Sequence, residues 1–195
     1  MRRGFLGLLG GLAVQAPAMG QSLAEAAAAL PAEIAGWQRG AVLDFDARFA
    51  GAGLGAAIEY RPLAGGAGVA TVYLYDRGRG DPPVDEIRQA VDEVAALGPI
   101  RHFALAGRGR ESLVAGPEGG PGLRCEALLL AFETGQRADS YVCLGRVGEH
   151  RLKLRMTLPA AAPGWSDGML ASFGRTLLAA TRTAAPPVAK PGAAR

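Results

Sequence analysis

LRCEALLLAFETGQRADSYVCLGRVGEHRLKLRMTL, residues 123–158, decides the fold of this chain. Leu123 to Phe132, Asp139 to Leu144 and His150 to Leu158 read as three antiparallel strands joined by tight turns. The last is the plainest. In Arg151-Leu152-Lys153-Leu154-Arg155-Met156 basic and apolar residues alternate, which gives the strand one charged face and one packing face. Glu133-Thr134-Gly135 fits a three-residue hairpin loop with Gly135 in the left-handed position. That loop pairs Phe132 with Gln136, and counting back along both strands sets Cys125 opposite Cys143. Opposed Cα atoms in a non-hydrogen-bonded pair stand about 4.5 Å apart, within reach of a disulfide. A four-residue loop would instead shift the register and leave two buried thiols.

Upstream, Ala41 to Phe45, Gly55 to Tyr60 and Val69 to Tyr75 are strand-like, the last dense in β-branched and aromatic residues. Asp81 then caps a helix with Pro82 and Pro83 in its first turn, and Val84, Ile87, Val91, Val94 and Leu97 form one apolar stripe. Gly98-Pro99 ends it. Arg110 to Ala115 is a weaker strand. Ser166 or Asp167 is expected to cap a second amphipathic helix that buries Leu170, Phe173, Leu177 and Ala180. Gln21 to Leu30 reads as a short helix, followed by an entry segment whose Ile34 and Trp37 dock on the core. Runs of consecutive strands predict an α+β fold: a mostly antiparallel six- to seven-stranded sheet with two packed amphipathic helices.

The ends of the chain read differently. Met1 to Gly20 has the order of a cleavable export signal: Arg2-Arg3, a glycine-diluted apolar core, and small residues from Ala16 to Gly20. Met1-Arg2-Arg3-Gly4-Phe5-Leu6 resembles a twin-arginine signal, and general secretory export fits equally. The apolar run falls short of the ~20 residues of a spanning helix, so the mature chain is expected to carry no transmembrane segment. Residues 21–183 are expected to form a single domain, with residues 184–195 as a disordered Pro/Ala tail. The expected location is the periplasm or the exterior, an oxidising setting that favours the Cys125–Cys143 bridge. The 21 basic and 18 acidic residues give a net charge of +3, and loss of Arg2 and Arg3 leaves +1. So small an excess argues against nucleic acid as a partner.

Short motifs carry little chemistry here. Gly51-Ala52-Gly53-Leu54-Gly55-Ala56 has dinucleotide-like spacing, yet Ile58-Glu59-Tyr60-Arg61-Pro62 just downstream reads as a strand rather than the helix that would hold a pyrophosphate. Asp44 and Asp46 share a strand face without further ligands, and His102 and His150 are the only histidines, so no metal site is expected. None of the five serines stands in a nucleophile motif. No catalytic residues and no cofactor are assigned. Arg146, Arg151, Lys153 and Arg155 form a candidate patch for an anionic partner, unless they are a solvated outer face balanced by Glu126 and Asp139. Tyr73, Tyr75, Asp76 and Arg77 at a strand end form a candidate pocket.

The element order, with Gly36-Trp37 near the mature start, the strand from Thr71 to Asp76, and Asp139-Ser140-Tyr141 through Arg155, resembles the PsbP-like α/β sandwich found in small exported bacterial proteins. The resemblance implies a fold and a compartment. It implies no catalytic residues, since members of that fold act as assembly or binding proteins. The expectation is therefore an exported, non-enzymatic envelope protein that binds a partner protein or a small or anionic ligand. The alternative is a periplasmic hydrolase with a dispersed Ser/His/Asp site.

Overall fold

The computed structural model describes residues 22–49, 55–76, 84–147 and 150–184. The export-signal reading, Arg77, the Asp81-Pro82-Pro83 cap and the 185–195 part of the tail lie outside these residues. Eight strands form one antiparallel sheet: β1 (Glu33–Ile34), β2 (Trp37–Asp44), β3 (Ala56–Pro62), β4 (Val69–Tyr75), β5 (Phe103–Val114), β6 (Leu123–Phe132), β7 (Arg137–Val147) and β8 (His150–Pro159). Their order is β1-β2-β3-β4-β8-β7-β6-β5. Two four-stranded meanders thus meet where β4 pairs with β8, Tyr73 opposite Lys153. Five helices accompany the strands: α1 (Leu23–Ala28), α2 (Phe45–Arg48), α3 (Val84–Ala96), α4 (Gly98–Arg101) and α5 (Trp165–Ala184).

The sheet has two more strands than the lower expected count because of its first and fifth members. The two-residue β1 pairs only with the start of β2. Phe103 begins β5, which runs twelve residues where a weak strand from Arg110 was expected. Two register shifts, between Leu105 and Gly107 and between Arg108 and Glu111, break its alternation and so its sequence signal.

Period-two alternation assigns the two faces of the sheet. Leu152, Leu154 and Met156 of β8, Ala70, Val72 and Leu74 of β4, and Ile58 and Tyr60 of β3 point to one face, which α1 and α5 cover. Phe173 of α5 is the centre of this layer. Its ring meets Trp37 edge-on at 5.8 Å and Tyr60 at 5.4 Å. Ile34 and Trp37 are fully buried here, as expected of the entry segment. Gly174 lets α5 approach the sheet closely, since a Cβ there would sit 3.0 Å from Val114 Cγ1. On the other face, Ala90, Val91 and Val94 of α3 pack on Leu128, Leu130, Ala138 and Val142.

The helix ends depart from the sequence reading in two places. Helix α5 starts at Trp165, so Ser166 and Asp167 lie inside its first turn. Their side chains reach to β7 instead of capping: Ser166 Oγ donates to Asp139 at 2.6 Å, and Asp167 accepts from the Tyr141 hydroxyl at 2.8 Å. Helix α3 ends at Ala96, just before Gly98-Pro99 as read, but that pair then opens an unexpected extra turn, α4, which ends at His102 in the left-handed conformation, φ +57°. At α1 the ending is local. Ser22 and Glu25 form a reciprocal capping box, and Arg39 of β2 donates to the carbonyls of Ala28 and Leu30.

The expected hairpin loop is present. Gly135 adopts φ +83°, Phe132 and Gln136 flank the turn, and the ladder sets Cys125 opposite Cys143. The two form a disulfide, with Cα atoms 4.0 Å apart and both residues fully buried.

Candidate functional site

Helix α3 covers β6, β7 and the Tyr75 end of β4 but leaves the second face of β2, β3 and the rest of β4 open. The result is a trough of 610 Å³ running beside the end of α3 and the turn α4. Leu97, Phe103, Leu130 and Phe132 line one side, and Leu43, Phe45 and Ala57 the other. These residues reach the site from β2, α2, β3, β5, β6 and the segment after α3, so contacts between distant parts of the chain assemble it. Across its floor run Thr71 and Tyr73 of β4 and Arg155 and Thr157 of β8, with Thr71 directly opposite Arg155.

Charge in the trough is unevenly matched. Arg61 is held by Glu59 at 2.8 Å, an exposed pair of little energetic weight. Arg155 is half-buried, and Arg101 stands at the rim. Among the described residues, neither has a carboxylate within ion-pair distance. Burial lowers the Arg155 guanidinium below the ordinary arginine range, and the like charge of Arg101 lowers it further, while Tyr73 acts in the opposite sense. Burial also raises the Tyr73 phenol, with Arg155 and a hydrogen bond to Thr71 opposing.

The four basic residues read from the sequence do not form one exposed face. β8 alternates as expected, but its polar face lies partly under α3. Arg151 is buried there and donates to Glu86 at 2.7 Å. The second Glu86 oxygen accepts from the Tyr75 hydroxyl at 2.8 Å. Lys153 pairs with Glu93 at 2.8 Å and lies 5.0 Å from the centre of the Tyr73 ring. Arg146 belongs elsewhere, in a cavity of 260 Å³ shared with Arg124, Leu113 and Leu144. Only Arg155 faces the trough. The balancing charges come from a helix, not from neighbouring strands: Glu126 pairs with Arg108, and Asp139 accepts from Ser166.

The Tyr73, Tyr75 and Asp76 group also divides. Tyr73 lines the trough, Tyr75 lies beneath α3, and Asp76 binds His150 Nδ1 at 2.9 Å. Asp44 and Asp46 serve the backbone, accepting from the amides of Ala47 and Gly55 at 3.0 and 3.3 Å. His102 pairs with Glu133 at 3.2 Å in an exposed position. Among the described residues no group of three or more His, Cys, Asp or Glu could hold a metal ion, and no helix is long and apolar enough to cross a membrane.

Sequence reasoning missed Arg101, Leu97, Phe103 and Phe132 as site residues. One signal was present. Glu86 and Glu93, seven residues apart on α3, share a helix face that complements the basic side of β8. That match would have placed α3 over Arg151 and Lys153 and left Arg155 uncovered.

No protein-family model matches this chain, and no curated protein matches it. Two solved structures are similar to it at a TM-score of 0.33. One is a single-residue mutant of the protein Mog1, 13% identical over 65% of this chain and 73% of that one. The other is the Saccharomyces cerevisiae Ran-binding protein Mog1p, 11% identical over 76% and 80%. Neither bears on what this chain does.

Proposed function

We propose that this chain is an exported envelope protein of the PsbP-like sandwich type, without enzymatic activity, that binds an anionic ligand or partner in the trough. One observation carries the reading. Among the described residues the buried Arg151 is matched by Glu86, whereas the half-buried Arg155 and its exposed neighbour Arg101 have no carboxylate at ion-pair distance. A half-buried guanidinium beside another cation is stabilised by an anion supplied from outside. The disulfide fits an oxidising compartment, and with the Met1 to Gly20 signal it supports export to the periplasm or beyond. The test is nuclear magnetic resonance of the ¹⁵N-labelled mature chain, following the Nε–H groups of Arg155 and Arg101 against a panel of small carboxylates and phosphates. Saturable shifts at both groups are expected. Their absence across the whole panel would refute the reading.

A hydrolase is the second reading, and the His150–Asp76 pair favours it, since a carboxylate on Nδ1 orients an imidazole as a general base. Both cysteines are in the disulfide, Ser22 caps α1, and Ser140 and Ser166 are bonded to Thr157 and Asp139. Ser112 and Ser172 are the serines left as candidate nucleophiles. Ester or amide hydrolysis that disappears in His150→Ala would establish this reading over the first.

A further inference from the structure

The trough joins an unmatched positive head to a long apolar body. Arg155, Thr71 and Tyr73 lie on its floor, Arg101 at its rim, and the half-buried Phe132 along one wall with the mostly buried Phe103 and Leu130. Its volume, 610 Å³, falls within the ~300–1,000 Å³ of ordinary small-ligand sites. The positive half of this lining suits an anion, and the apolar half does not. An inorganic ion would leave the aromatic wall wet, and a neutral hydrocarbon would leave the Arg155 charge unmatched.

We infer that the trough binds a single-chain anionic amphiphile, a fatty-acid carboxylate. Its head would rest on the Arg155 guanidinium and its chain along the Phe103–Phe132 wall. The planar fork of a guanidinium matches the two oxygens of a carboxylate, and the Arg101 charge adds to the attraction without touching the same oxygens. Tyr73, a neutral phenol bonded to Thr71, stands beside Arg155 and adds no negative charge to compete with the head. The two phenylalanines meet edge-on at 5.7 Å, so the edge of one ring takes a face of the other, and the half-buried Phe132 is the ring with surface left for the chain. This inference rests on the anion-binding reading above and adds to it the chemistry of the ligand.

Calorimetric titration of the mature, oxidised protein with decanoate, decanol and butyrate, all below their aggregation limits, tests it. Decanoate is expected to bind at one site, and decanol and butyrate each at least about tenfold more weakly, the loss that comes from removing a charge-assisted bond or the apolar chain. Arg155→Gln is expected to bring decanoate to the level of decanol, with Arg155→Lys between them. Should Arg155→Gln fail to fold, contacts between the methylene protons of decanoate and the Phe103 and Phe132 rings of the unaltered protein decide the site, and their absence overturns the inference. Decanol binding as tightly as decanoate would show the head to be irrelevant and overturn it too. Butyrate binding as tightly as decanoate would overturn the amphiphile while leaving the anion-binding reading intact. No decanoate binding, with the arginine Nε–H groups still responding to short anions, would have the same meaning. Silence in both experiments would remove both readings.

Discussion

Glu86 shows how the charges of this fold are arranged one residue at a time. Its carboxylate accepts from Arg151 and from Tyr75, and both charged side chains are largely out of water. Removing it leaves a buried guanidinium without a counter-charge, so Glu86→Ala is expected to cost about 3 kcal/mol, and Glu86→Gln less. Urea unfolding of the two variants beside the parent reads this directly, and equal midpoints for all three would disprove the role. The Cys125–Cys143 bridge acts differently, through the unfolded chain. It spans 18 residues, a separation for which cross-linking contributes roughly 3 kcal/mol. Unfolding with and without a thiol reductant should separate the curves by that amount, and superimposable curves would show that the bridge adds nothing. The two features were not equally legible in the sequence. The cysteine pairing came from a local turn around Gly135. The partner of Arg151 did not, because Glu86 lies 65 residues away in the chain on a helix.

At the scale of elements, α5 depends on one side chain more than on any other. Phe173 is fully buried between Trp37 and Tyr60, contributed by β2 and β3 at the far side of the sheet. Phe173→Ala is expected to lose about 4 kcal/mol, from lost transfer energy and the cavity left behind. A loss below ~1 kcal/mol in thermal or urea unfolding would mean that the layer closes around the gap. The apolar stripes of α3 and α5 and the alternation of β4 and β8 were legible because each buries one continuous face with a fixed period. The cap of α5 was not, since Ser166 and Asp167 bond to β7 rather than to their own helix. Nor was the full length of β5, whose bulges cancel the period-two signal. The Gly51–Ala56 motif was read correctly as non-helical in its sequel: Ala56 opens β3.

The whole molecule carries a pH response set by its buried phenols. Tyr60 donates to the Pro31 carbonyl at 2.9 Å, and burial raises it to about 12, with Arg39 opposing. Burial raises the Tyr141 phenol as well, and its bond to Asp167 acts in the same direction. A phenol raised in the folded state holds its proton there while the unfolded chain releases it. Stability is therefore complete below pH 10 and falls as the pH rises from 10 towards 12. Unfolding free energies at pH 9 and pH 11 should differ by on the order of 1 kcal/mol or more, and Tyr60→Phe should reduce the difference. A flat profile over that interval would contradict this origin of the response. The sequence by itself determined what short-range periodicity and turn chemistry can carry: six of the strands and the end of β5, two amphipathic helices, the hairpin at Gly135 and the cysteine pairing that it sets. The order of the strands, the docking of α3 over half of one face, and the trough that remains open were decided only in three dimensions. They depend on contacts between segments distant in sequence, where the choice rests on which buried charges meet a partner and which face is covered. That is why a charged strand face, legible as one stripe, became a paired interior at Arg151 and Lys153 and an open site at Arg155.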